Sequence, residues 1–163
     1  MPIPADPADA TDVASTVLVL FTQVHDQIRA EIHGLDEAGL NWIPGPETNS
    51  IATIVTHILG SEAESIRTVA GSPDERDRAS EFDSRWKTQA QLARALEQAD
   101  LLVTAATSDI DADRLRARLS LPTLAPDEQR SGLTWLVGNY GHAREHLGHI
   151  QLTKQLYRSI DQP

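Results

Sequence analysis

Three of the chain's six histidines fall inside the stretch "GHAREHLGHIQ", as His142, His146 and His149. His142 and His146 are spaced i and i+4, which on a helix puts their Cβ atoms about 6 Å apart. Both imidazoles can then reach one metal through bonds of about 2.0–2.1 Å. Two such ligands do not make a tight site, so a third must come from another segment. His25, His33 and His57 are the candidates. His149, at i+3 from His146, can replace a ligand, hydrogen-bond one, or face solvent.

Glu145 completes the pattern H-x-x-E-H, the inverted form of a zinc-protease motif in which the glutamate activates water. That chemistry needs a further carboxylate ligand, well downstream. Only 17 residues follow His146, and their one carboxyl side chain is Asp161. Glu145 also projects roughly 75° around the helix from His146. The glutamate is therefore read as incidental to the histidine pair.

Composition narrows the chemistry further. There is no cysteine, which excludes disulfides, thiolate ligands and a cysteine nucleophile. Metal ligands must be His, Asp or Glu, and any thiol must come from a co-substrate. With 14 Lys and Arg against 24 Asp and Glu, the formal net charge is −10, so nucleic acid and anionic membrane are repelled over most of the surface. The N-terminus lacks a signal-peptide pattern, and no apolar run is long enough to cross a membrane. A cytoplasmic location is expected.

At 163 residues the chain is expected to be one domain. Residues 1–10, with three prolines, read as an unstructured lead-in to a single domain over 11–160. A first helix follows from Val13 and ends near Gly34. "GLNWIPGPETNS" must be a loop, with Asn49 or Ser50 capping a second helix from Ile51 to Ala70. "GSPDERD" reads as a turn into a charged linker. A third helix fits Ser84 to Ala106, Leu115–Leu119 can be a short helix or an extended piece, and the last helix covers Ser131 to Ile160. Four long helices without a strand pattern predict an all-α four-helix bundle, and the long linkers suggest a crossover connection.

On the last helix His142, His146 and His149 gather roughly 130° from the main apolar stripe. His57 lies mid-helix, roughly 140° off its own apolar direction, which fits a polar cleft and open water equally. His33 beside Gly34 reads as a helix-end residue, and His25 lies at the margin of its stripe. Glu62 projects near the middle of an apolar stripe, where an unpaired carboxylate is costly. Glu62, Glu64 and Glu145 are candidate bases.

Three stretches together resemble the DinB-like superfamily of four-helix bundles, which includes thiol-dependent maleylpyruvate isomerases and related thiol S-transferases. They are "EIHGLDEAGL", "LNWIPGPETNSIATIVTHILGSEAESI" and "GHAREHLGHI". The similarity runs from about Val13 to Leu156. It implies a divalent metal held by His57, His142 and His146, with Zn, Ni and Fe not distinguished. His149 departs from the pattern, standing where the family usually has Gln.

The activity this resemblance implies is metal-dependent transfer of a small thiol, such as mycothiol, bacillithiol or glutathione, to an electrophilic small-molecule substrate. The alternatives are metal-dependent hydrolysis and a non-catalytic, stress-related metal-binding bundle. A homodimer is expected, with Trp42, Trp86 or Trp135 as places to look for its interface.

Overall fold

The computed structural model describes residues 7–83 and 86–160, with side chains from residue 13 onward. Helix α1, Pro7–Ile32, starts inside the expected lead-in, so residues 7–10 are helical rather than unstructured. Proline is no obstacle there, because a first-turn N–H has no intrahelical partner and the fixed φ suits a helix start. Residues 1–6 lie outside the described residues.

A short helix α2, Glu37–Asn41, is followed by the expected loop and then α3, Ile51–Ala70. The Ser50 side chain caps α3 by accepting from Thr53 N, and Gly71 closes it at φ +92°, a left-handed conformation suited to glycine. The stretch read as a charged linker contains a further helix, α4, Arg78–Glu81. Helix α5, Gln89–Ala106, begins later than the expected Ser84. It is set there by a capping box between Thr88 and Gln91. Helix α6, Ala112–Arg116, and strand β1, Arg118–Leu119, follow. Strand β2, Arg130–Ser131, pairs antiparallel with β1 and leads into α7, Gly132–Ile160. None of the described helices is long and apolar enough to cross a membrane.

The long helices α1, α3, α5 and α7 form the bundle, with α1 and α3 each packed against both α5 and α7. Two apolar clusters reveal their directions. One combines the C-terminal parts of α1 and α7 with the N-terminal parts of α3 and α5, including Ile28, Ile58, Leu96 and Leu147. The other combines the opposite ends, including Phe21, Ile66, Val103 and Leu136. Helices α1 and α7 therefore run one way, and α3 and α5 the other. Residues 71–88 must return the whole length of the bundle to start α5 in parallel with α3. This is the crossover, and it runs alongside α3 with α4 packed against that helix. Its far end is tied to α2 by two hydrogen bonds of 2.8 Å between Asn41 and the Lys87 backbone.

Between the two apolar clusters each long helix contributes a polar side chain: His25, Glu62, Asp100 and Asn139. His25 donates toward Asp100 Oδ1 at 2.6 Å and Glu62 Oε2 at 3.0 Å, and Arg29 binds the other Asp100 oxygen. Asn139 Nδ2 donates to Ser61 Oγ at 2.8 Å, joining α7 to α3. Of the three tryptophans, Trp135 is core, with Nε1 on Leu119 O at 2.7 Å, and Trp42 is half-buried against Tyr157. Trp86 is exposed and donates to Glu37.

Candidate metal centre

The antiparallel packing of α3 on α7 brings His57 against His142 and His146. His57 Nε2 stands 3.1 Å from His142 Nε2, which is 3.0 Å from His146 Nε2. One nitrogen from each ring lies within 4.8 Å of the other two. His57 is buried, and the other two are half-buried.

The tautomer of His57 follows from its second nitrogen. Nδ1 lies 3.0 Å from Glu81 Oε2, and a carboxylate can only accept, so Nδ1 carries the proton and donates. Nε2 is left as a lone pair facing α7. Glu81 is itself gripped by Arg76, through Nε on Oε1 and Nη2 on Oε2, both at 2.7 Å. Arg76 also donates to Glu64 Oε2 at 2.9 Å, while Glu64 Oε1 accepts from Thr123 N at 2.9 Å. Burial alone would raise the Glu81 pKa; His57 and Arg76 outweigh it and hold the carboxyl below its usual range. Gly60 makes this possible, since a Cβ there would collide with Glu81 Oε1.

On the other helix, burial first and neighbouring positive charge second push His142 below the usual histidine range. The same causes, with burial again largest, push His146 down to about 4. Both rings are neutral at neutral pH. His142 Nδ1 is buried without a hydrogen-bond partner, and His146 Nδ1 lies 3.1 Å from His149 Nδ1.

These residues fit a divalent metal. Two imidazole nitrogens bound to one zinc at about 2.0–2.1 Å stand roughly 2.9–3.4 Å apart, for angles between octahedral and tetrahedral. The two measured separations, 3.1 and 3.0 Å, lie in that range. A proton can bridge one pair of nitrogens but leaves the third lone pair facing another ring, whereas one cation satisfies all three. The Glu81 contact to His57 is the carboxylate–histidine arrangement that orients a ligand ring and raises its basicity.

The other histidines and the candidate bases are placed elsewhere. His25 is held in the polar layer of the core, and His33 is exposed at the end of α1. His149 meets the triad through His146 Nδ1. Glu62 is 1% exposed and bonded to His25, so it is a core partner rather than a base. Glu64 is bound by Arg76 and the Thr123 backbone, and Glu145 is exposed.

Sequence reasoning missed Arg76, Glu81 and Phe82, whose ring lies 4.7 Å from that of His57. The one available signal was an acidic and basic cluster between helices two and three. The family model described as DinB superfamily matches residues 20–150. No curated protein matches the chain.

Proposed function

The chain belongs to the DinB superfamily, and from that premise we propose that it is a metal-dependent transferase using a low-molecular-weight thiol. The observation that carries the metal half of this reading is the convergence of three Nε2 lone pairs from α3 and α7. His57, His142 and His146 would hold the ion. A bound divalent cation favours a deprotonated ligand and so supplies a strong nucleophile at neutral pH.

The protein's own residues prepare for this. Glu81, fixed by Arg76, keeps the His57 proton on Nδ1 and its lone pair on the site. Burial keeps His142 and His146 neutral. The absence of cysteine requires the sulfur to come from a co-substrate. In the transfer the thiol's proton passes to solvent and the sulfur lone pair forms the new S–C bond. The electron pair of the broken bond leaves with a halide, or stays on the oxygen of an opened epoxide, which takes up a proton from solvent. Metal-dependent hydrolysis is the weaker reading, because Glu62 is buried in the core on His25 and both oxygens of Glu64 are taken by Arg76 and Thr123.

The test has two parts. Elemental analysis of wild type beside His57→Ala and His146→Ala should show metal in the first alone. Remetallated wild type should then conjugate mycothiol, bacillithiol or glutathione to at least one electrophile of a halide and epoxide panel. Metal retention with no thiol turnover would instead favour the non-catalytic bundle.

A further inference from the structure

A cavity of about 350 Å³ shares His146 with the triad. Its apolar walls are Pro44, Ile54, Leu152 and Leu156, drawn from the loop before α3, from α3 and from α7. No lysine or arginine lines it among the described residues, and its one charged lining side chain, Glu47, is exposed. Leu152 and Leu156 are 54% and 42% exposed, so apolar surface beside the triad stands open to water.

We propose that this cavity receives the uncharged, apolar part of the molecule that reacts at the triad, with Leu152 and Leu156 setting the preference. The proposal rests on the metal-site reading. Its volume suits a group of modest size, within the usual range for small-molecule sites. An apolar group seated here covers the two leucines and removes their surface from water. A carboxylate tail would give up hydration for walls that hold Thr48, Asn49, His149 and Thr153 but no lysine or arginine, with Glu47 and the net charge of −10 opposing it. The cations near the triad, Arg76 and Arg78, belong to the crossover and do not line the cavity. A reacting molecule that carries an apolar chain is therefore favoured over one that carries a carboxylate at the same distance.

Two thiol probes of matched length, hexanethiol and 6-mercaptohexanoate, test this on the full-length protein loaded with Co(II). Sulfur-to-cobalt absorption reports their binding. Hexanethiol should bind at least tenfold more tightly than the anionic probe, and Leu152→Arg should abolish or invert that ratio while leaving Co(II) affinity unchanged. Equal affinities on Co(II)-loaded protein, unmoved by Leu152→Arg, would overturn the cavity proposal alone. Protein that takes up no Co(II) would overturn the metal reading and this proposal with it. A two-chain mass that falls to one chain on Leu152→Arg would assign the leucines to a second copy, and would also overturn it.

Discussion

His57 and His25 sit in clusters made of the same parts. Each is a buried imidazole with one ring nitrogen on a carboxylate that an arginine also grips, through Glu81 and Arg76 in one case and Asp100 and Arg29 in the other. They differ in the second nitrogen. His25 meets another carboxylate, Glu62, so each nitrogen faces a carboxylate, an arrangement that favours the protonated ring. His57 meets two imidazoles, so its second nitrogen keeps a lone pair. A metal needs that lone pair, and a closed ion pair has none to give. Burial opposes the charged form of His25, but hydrogen bonds and charge from Glu62 and Asp100 win and raise its pKa. Burial dominates at His142 and His146, whose pKa values fall.

The strongest way to break this contrast is to remove one histidine from each cluster. His57→Ala should lose its bound metal by elemental analysis, since two remaining ligands do not make a tight site. His25→Ala should leave metal stoichiometry intact. It should cost about 3 kcal/mol in urea unfolding, the lower end for stranding a buried charge, because Glu62 is already raised by burial and can protonate. Metal loss in the His25 variant would show that the clusters are not independent.

Next in size is the carboxylate behind His57. Glu81→Gln should weaken metal binding by about 10–100-fold, the usual scale for a lost partner of a ligating histidine. Gly60→Ala should act in the same direction by displacing Glu81. Competition with a chelator of known affinity measures both.

The two clusters should also respond oppositely to pH. The folded His146 value of about 4 lies below the ordinary 6.5, so the metal-free unfolded state binds more protons between them. Stability is then lost as pH falls from about 6.5 through about 4. His25 is raised, so its contribution is full below about 6.5 and is lost as pH rises through the folded value. Thermal melts of metal-free protein should show His146→Gln flattening the acid limb and His25→Gln the alkaline one. The smallest effect is expected from His149→Gln. An amide can still accept from His146 Nδ1, so affinity should change by no more than about threefold.

Much of this architecture was readable from periodicity. The four long helices follow apolar repeats, and the sequence narrows the cap of α3 to Asn49 or Ser50, of which Ser50 serves. The i, i+4 spacing of His142 and His146 announced half of the triad. What periodicity cannot see is what covers a helix face. His57 lies off its apolar stripe, where projection reads cleft and water alike, and the crossover is what buries it.

That crossover carries no pattern of its own, because a four-residue helix spans barely one turn. Glu81 and Arg76 looked like any other surface charges. The start of α5 was different: Thr88 and Gln91 carry a capping signature in the sequence itself, four residues beyond the expected start at Ser84. Glu62 shows the same limit from the other side. Its position on an apolar stripe flagged a buried carboxylate, but only the fold could supply His25 from α1 as its partner.

The polar layer across the middle of the bundle also acts as an axial gauge. Leucine and isoleucine pack nearly as well after a helix slides by one turn, about 5.4 Å, whereas a hydrogen bond does not survive that slip. Asn139 and Ser61 therefore index α7 against α3, and they lie one turn along each helix from His142 and His57. Chelation tolerates misplacement of only about 0.5 Å, far less than greasy packing enforces. A neutral amide and a hydroxyl, neither of which touches the ion, thus set the vernier on which the three imidazoles are aligned.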